Sequence, residues 1–512
     1  MRNHGIGSWP ARRSRAAGGR TAVVHNGRSA TYCELSERST RLAHALEERG
    51  VERGDRVAYL GANRPEFLEA MFAAALLGAV FTPFNTRLAR AELEALAADS
   101  SPAVLIADAD RRADAEALYG SGLAGALLTV GGEEDGLERA AATAPARPID
   151  RPVGHDDPFL LLYTSGSTGR PKGVVLTHGN VTWNCLNSVV DTDLVGTDTA
   201  LVSAPMFHTA ALNMLCLPVL LKGGRLLLEE RFGPERTLDL VEREGVTVMF
   251  GVPTMYERIA RSPRWEEADL SGLRLLLCGG APVPPPLIER YMRRGLAFVQ
   301  GYGLTEAAPG ALLLPVADCE RKAGSAGVPA FFTDVRTAEP GPGPSEVLVE
   351  GPNVTPGYWH RPAETAAALR EGWLHTGDAA EVDDEGYFRI VDRVKDMYVS
   401  GGENVYPAEV EAALAEHPDV RECAVVGVPH PDWGESGAAL VVPVPGRCPG
   451  SRELRDFLSG RLARYKVPGV VDFAEEIPRS GVGKIDKHAV RSRLAGGAER
   501  SDTEPGTGPP AP

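Results

Sequence analysis

Residues 163–173 read YTSGSTGRPKG, and the run leading into them, FLLLYT from Phe159 to Thr164, is apolar and of strand length. Glycines at 166, 169 and 173 allow the backbone to turn successive N–H groups toward one point. Thr164, Ser165, Ser167 and Thr168 add hydroxyls, and Lys172 adds a full positive charge. A strand running into such a loop suits the phosphates of a nucleotide, although the same letters also spell a solvated turn. It is not a P-loop, which needs glycine directly before its lysine and Ser or Thr after it; Pro171 and Gly173 stand there instead.

Outward from this stretch, strand-like and helix-like segments alternate. RVAYLG (56–61) precedes a helix-like run over 65–77, and AVFTPFN (79–85) follows. ALVSAPMF (200–207), VTVMFGVP (246–253) and LRLLLCGG (273–280) come later, with an amphipathic stretch at 234–244 among them. The alternation predicts parallel sheets covered by helices, with ligands at the strand ends. The texture changes around 325–392, where prolines, glycines and short strands predict a compact β unit. From Val394 onward, helix-like stretches at 407–416 and 451–462 alternate with AVVGVP (424–429) and AALVVPV (438–444), which predicts a small α+β domain. We therefore expect domains at 1–393 and 394–496, with a disordered tail over 497–512 that has little to bury.

With 512 residues the chain exceeds one ordinary core. A net charge of −15 argues against general affinity for nucleic acid or anionic membranes, so any bound polyanion needs a local site. Cysteines 33, 185, 216, 278, 319, 423 and 448 are scattered and show no C-x-x-C spacing, which predicts reduced thiols rather than disulfides or a zinc site. The N-terminus lacks the apolar core of a signal peptide. The longest apolar stretches, such as MFAAALLGAVFTPF (71–84), fall short of the ~20 residues that span a bilayer. A cytoplasmic protein without stable membrane insertion is expected.

Further motifs follow the loop in order: PMFHTAA (205–211), GGAP (279–282), QGYGLTE (300–306), HTGD (375–378), DRVKD (392–396), SGGENVYPAEVE (400–411) and PRSGVGKID (478–486). This ordered set resembles the signatures of the adenylate-forming superfamily, which holds acyl-CoA synthetases, adenylation domains of peptide synthetases and luciferases. The resemblance covers nearly the whole chain. It implies an α/β fold: a large N-terminal domain of two helix-covered, mostly parallel sheets with a small β-barrel-like subdomain, then a small mobile α+β C-terminal domain.

The family reaction has two halves. A carboxylate attacks the α-phosphate of Mg·ATP to give acyl-AMP and pyrophosphate, and a thiol, usually that of coenzyme A, then attacks the acyl carbonyl. Both halves build negative charge on bound oxygens, so the site needs positioned donors and Mg²⁺. By resemblance, Thr164, Ser165, Gly166, Ser167, Thr168, Gly169 and Lys172 hold the β- and γ-phosphates. Glu306, with Thr164, is implied as the Mg²⁺ ligand set, and Thr305 as a phosphate contact. Tyr302 and Gly303, with Gly280, Ala281 and Pro282 opposite, would enclose the adenine. Asp378 would accept from both ribose hydroxyls, with Arg393 on the other side. Lys484 resembles the catalytic lysine of adenylation. Lys395 takes the hinge position, and Gly401, Gly402 and Glu403 the stretch that serves thioester formation after the small domain rotates.

Each residue has a plainer alternative. Glutamate after threonine suits a helix N-terminus, aspartate after glycine suits a turn, and an exposed lysine suits solubility.

His208 stands where amino-acid-activating relatives carry an aspartate, so the resemblance implies that it gates or lines an acyl pocket. Phe207, Thr209, Ala210, Asn213, Val252 and Gly279 would shape that pocket, mostly with small or apolar groups. FNTRL (84–88), KAGSAG (322–327) and RLARYKVP (461–468) look most like bacterial medium- and long-chain fatty-acid–CoA ligases. The expected reaction is ATP-dependent ligation of a fatty or aryl acid to coenzyme A. Other readings stay open: transfer to a carrier-protein thiol or an amine, activation of a small oxyanion such as nitrite, or an inactive relative serving as a scaffold. The sequence also leaves open a monomer or a homodimer.

Overall fold

Val104–Asp108, Val248–Gly251 and Leu275–Cys278 are buried at every position. Continuous apolar runs of this kind are stable as parallel strands covered on both faces. The structure is a computed structural model that describes residues 2–501 apart from 89, 132–135, 165–170, 281–282, 340, 342, 394–397, 401–402, 406, 431–433, 463 and 481–483. The chain divides into two compact units: 1–336 with 348–376 and 382–389, and 337–347 with 377–381 and 390–512. A small five-stranded sheet runs Asp334–Thr337, Ser345–Glu350, Trp373–Val382, Leu369–Arg370, with Phe388–Arg393 also paired to Trp373–Val382.

Two large sheets build the first unit. One runs in the order Val328–Pro329, Gly310–Leu313, Phe298–Gly303, Leu275–Cys278, Val248–Gly251, Thr199–Val202, Arg225–Leu228, Thr21–His25, Arg28–Thr31. Its central pairs are parallel and its outer pairs antiparallel. The other runs Gly357–Tyr358, Lys172–Thr177, Pro158–Thr164, Val80–Pro83, Arg56–Leu60, Val104–Asp108, Ala126–Val130. Only its first two pairings are antiparallel.

Helix Pro65–Leu77 explains the longest apolar run. Every residue from Phe67 to Leu77 is buried, and all are apolar except Glu69, whose carboxylate accepts from Arg38 Nε at 2.6 Å. Pro65 opens it, and Gly78 at φ 73° closes it with a left-handed turn. No helix among the described residues is long and apolar enough to cross a membrane.

In the second unit, Glu403–Val405, Tyr398–Ser400, Gly434–Pro443 and Val420–His430 pair antiparallel in that order, and Val470–Phe473 joins Gly434–Pro443 in parallel. Side chains alternate across this sheet with period two. Cys423 and Val425 pack with Val410, Leu414, Leu454 and Leu458 of helices Pro407–Ala415 and Ser451–Ser459. Ala424, Val426 and Val428 pack with Val490 and Leu494 of helix Lys487–Ser501. This is the α+β unit that the sequence pattern predicts.

One segment departs from its expected form. ALVSAPMF makes strand only over Thr199–Val202; the chain leaves the sheet before Pro205 and enters a π-helix at Ala210–Cys216.

Candidate active site

The strands on either side of the glycine- and hydroxyl-rich stretch form an antiparallel pair. Pro158–Thr164 pairs antiparallel with Lys172–Thr177, and Thr164 lies directly opposite Lys172. Opposed residues in such a pair project to one face, so the hydroxyl and the ammonium both stand on the same side of the loop mouth. Gly173 sits close to its neighbours: a Cβ would lie 2.7 Å from Leu161 Cδ1 and 3.3 Å from Trp359 Cβ, so a side chain there would displace them. Tyr163, on the opposite face, donates its hydroxyl to Asp99 Oδ2 at 2.8 Å.

Thr177 ends the second strand and caps helix His178–Asp191 through a reciprocal bond pair with Asn180. Asn180 Nδ2 also donates to the carbonyls of Pro352 and Val354 at 2.9 and 2.7 Å. The next residues, Gly357–Tyr358, pair with Val175 and Val174. Trp359 N donates to Gly173 O at 2.7 Å. A strap from Pro352 to Trp359 is thus laced to the hairpin.

The same strap reaches Glu306. Strand Phe298–Gly303 carries Tyr302 and Gly303 into a 3₁₀ turn, Thr305–Ala307, which presents Glu306. Gly303 admits no side chain, because a Cβ would meet Pro309 O at 1.8 Å. Asn353, fully buried, donates to the carbonyls of Ala307 and Gly310 at 2.9 Å each. Thr355 N donates to Glu306 O at 2.7 Å. Tyr358 Oη donates to Glu306 Oε1 at 2.9 Å. Lys172 Nζ lies 5.3 Å from the centre of the Tyr358 ring. Burial first, and the Glu306 carboxylate second, push the Tyr358 hydroxyl well above its ordinary pKa, so it stays a donor.

Thr164, Lys172, Thr305 and Glu306 therefore gather at one place, with Tyr302 and Gly303 on the strand that leads there. Gly280 follows the adjacent strand Leu275–Cys278 at φ 83°, a left-handed turn that favours glycine. His208 is exposed just before the π-helix, its ring 4.8 Å from that of Phe207. π-Helical turns recur at functional sites.

Asp378 and Lys484 belong to the second unit. Asp378 is half-buried on strand Trp373–Val382, directly after Gly377, whose N–H donates to Glu346 Oε1 at 3.0 Å. Lys484 is exposed at a turn closed by Ser480 N donating to Lys484 O at 2.8 Å and Asp486 N donating to Pro478 O at 2.9 Å. Asp486 Oδ1 then accepts from His488 N and Ala489 N, capping the last helix. Arg393 ends strand Phe388–Arg393 and Glu403 begins Glu403–Val405. Ser165, Gly166, Ser167, Thr168, Gly169, Ala281, Pro282, Lys395, Gly401 and Gly402 lie outside the described residues.

Asn353, Thr355 and Tyr358 are the participants that sequence reading missed. Their stretch, PNVTPGY, falls in the proline- and glycine-rich β unit, and its pairing with 174 and 175 brings it to Glu306.

The described residues thus set Thr164 and Lys172, opposed across a hairpin, near the tyrosine-held carboxylate of Glu306, and a separate unit carries Lys484. A family model for AMP-binding enzymes matches residues 11–359, and one for the AMP-binding enzyme C-terminal domain matches 409–484. The chain belongs to this AMP-binding, adenylate-forming family. Feruloyl-CoA synthase from Amycolatopsis sp is 56% identical over 96% of this chain and 100% of its own length. Indoleacetate–CoA ligase from Aromatoleum aromaticum is 40% identical over 96% and 98%. The structure of ATP-bound MatB from Rhodopseudomonas palustris superposes with a TM-score of 0.89 at 32% identity, covering 96% of this chain and 99% of that one. Within the family the chain is an AMP-forming acid–CoA ligase that uses ATP and coenzyme A.

Proposed function

We propose that the acid is a ring-bearing one of the hydroxycinnamate type, activated at the hairpin–strap site with Mg²⁺ and passed to coenzyme A. The observation that carries this reading is the full-length similarity to a feruloyl-CoA synthase, joined to intact chemistry at Lys172, Glu306, Asp378 and Lys484. Asn213 supports an acid with polar ring substituents. It is fully buried in the π-helix, its Nδ2 donates to Thr209 Oγ1 at 2.9 Å, and its Oδ1 has no partner among the described residues. A ring hydroxyl could satisfy such an acceptor where an alkyl chain leaves it bare.

In this reading Thr164, Lys172 and the loop between them bind the β- and γ-phosphates, and the Lys172 ammonium offsets their charge. The donor set suits Mg²⁺, a hard cation that takes oxygen ligands from one or two carboxylates and substrate phosphates. Glu306 supplies a carboxylate and Thr164 a hydroxyl. Bound there, Mg²⁺ would neutralise phosphate charge as pyrophosphate leaves. Asp378, with Arg393, fixes the ribose, while Tyr302 and Gly280 to Pro282 enclose the adenine. Lys484 neutralises charge growing between the attacking carboxylate and the α-phosphate. Rotation about Lys395 then brings Gly401, Gly402 and Glu403 to serve thiol attack on the acyl carbonyl.

A pyrophosphate-release screen over hydroxycinnamic, benzoic, fatty and amino acids, with and without coenzyme A, tests the reading. Hydroxycinnamic acids giving the highest kcat/KM, with product only when coenzyme A is present, is the expected result. A clear preference for fatty acids overturns the substrate class, and product formed without coenzyme A overturns the acceptor.

A further inference from the structure

We infer that Tyr358 is a positioning residue that aims the Glu306 carboxylate at the metal site and steadies Lys172 beside it. The inference rests on the proposed metal role of Glu306. Three observations carry it. The strap holds residue 306 at both ends: Thr355 N takes its backbone carbonyl at 2.7 Å, and Tyr358 Oη takes Oε1 at 2.9 Å. Oε2 has no hydrogen bond among the described residues, so the carboxylate is oriented with one oxygen still available. Finally, the Tyr358 ring faces Lys172 Nζ at 5.3 Å, within range of a cation–π contact.

Tyr358 is itself immobilised, as a positioning group must be. Its pairing opposite Val174 puts it on the face of the hairpin that carries Lys172, two residues along the same strand. Its N–H donates to Thr365 Oγ1 at 3.0 Å, and Thr365 Oγ1 donates to Arg361 O at 2.8 Å. Gly357 before it adopts φ 145°, and a Cβ there would lie 2.4 Å from Thr365 Cγ2. A single side chain thus touches an anion meant for the metal and a cation meant for the phosphates.

The conservative variant Tyr358→Phe removes the hydroxyl and keeps the ring. Removing a group that orients a metal ligand costs about ten- to a hundredfold in metal affinity. We expect Mn²⁺ binding to the enzyme–ATP complex, followed by electron paramagnetic resonance, to weaken at least about tenfold. The Mg²⁺ concentration that half-saturates acid-dependent ATP–pyrophosphate exchange should rise in step. AMP binding and thioester formation from supplied acyl-AMP should stay at parental values, and the melting temperature should fall by only a few degrees, as one lost hydrogen bond implies. Tyr358→Leu, which also removes the ring, should add a rise in KM for ATP. Unchanged metal affinity in Tyr358→Phe overturns the inference. So does an equal loss of AMP binding and of the second half-reaction, the mark of a merely structural residue. Glu306→Gln separates the layers: if it shifts the Mg²⁺ dependence and Tyr358→Phe does not, only this inference falls. If Glu306→Gln leaves that dependence unchanged, the metal assignment itself falls, and this inference with it.

Discussion

Asn353→Ala should loosen the turn that presents Glu306 without touching any substrate. Asn353 is fully buried; its Nδ2 donates to Ala307 O and Gly310 O, and its Oδ1 accepts from Thr333 Oγ1, each at 2.9 Å. Alanine leaves two carbonyls and a hydroxyl without these partners in a buried site. At roughly 1 kcal/mol for each lost bond, with added penalty for groups left unsatisfied, the first unit should lose about 3 kcal/mol. Because Ala307 directly follows Glu306, Mg·ATP-dependent exchange should fall about tenfold at temperatures where the variant is folded. Urea unfolding followed by fluorescence gives the first quantity, and acid-dependent ATP–pyrophosphate exchange the second. Asn353→Asp sharpens the test: it keeps the acceptor for Thr333 but sets a carboxylate oxygen against two carbonyls, so it should be worse than alanine. An unfolding midpoint at the parental value with exchange within twofold would refute the reasoning.

His178 gives a prediction in pH. It is fully buried, its Nδ1 accepts from Ile6 N at 3.1 Å, and burial, offset in part by Asp157, lowers its pKa to about 3. The unfolded chain binds a proton below about pH 6.5 that the folded chain refuses, so stability falls as pH drops from 6.5 toward 3. At pH 5 the loss from this group is about 2 kcal/mol, and His178→Gln should flatten the stability profile between pH 7 and 5. An identical slope in variant and parent would contradict it. Lys484→Ala should abolish acid-dependent ATP–pyrophosphate exchange and spare thioester formation from supplied acyl-AMP; equal loss of both steps, measured side by side, would count against its assigned role.

What the sequence made legible follows from where the physics is local. The apolar runs LRLLLCGG and VTVMFGVP read as strands because a sheet covered on both faces demands uninterrupted hydrophobes. Helix Pro65–Leu77 reads from its terminal proline and following glycine. The stretch after Thr164 suggested phosphate binding from its glycines, hydroxyls and lysine, whereas Glu306 stood out only through the resemblance of QGYGLTE to the adenylate-forming signatures. The strap read only as part of the β unit, not as a partner of Glu306. Tyr358 lies 52 residues from Glu306 in sequence, and their contact depends on strand register rather than on any local pattern. The π-helix after His208 escaped as well, because ALVSAPMF keeps strand-like hydrophobicity past the point where the chain leaves the sheet.

The reaction proposed for this chain joins the carboxylate oxygen to the α-phosphorus of ATP before any thiol reacts. Turnover of an acid labelled with ¹⁸O in both carboxylate positions, in the presence of ATP and coenzyme A, tests that bond directly. Mass spectrometry of the products should find one ¹⁸O in the phosphate of AMP, with pyrophosphate unlabelled and the other ¹⁸O in the thioester carbonyl. Label appearing in inorganic phosphate, or AMP emerging without it, would contradict the account.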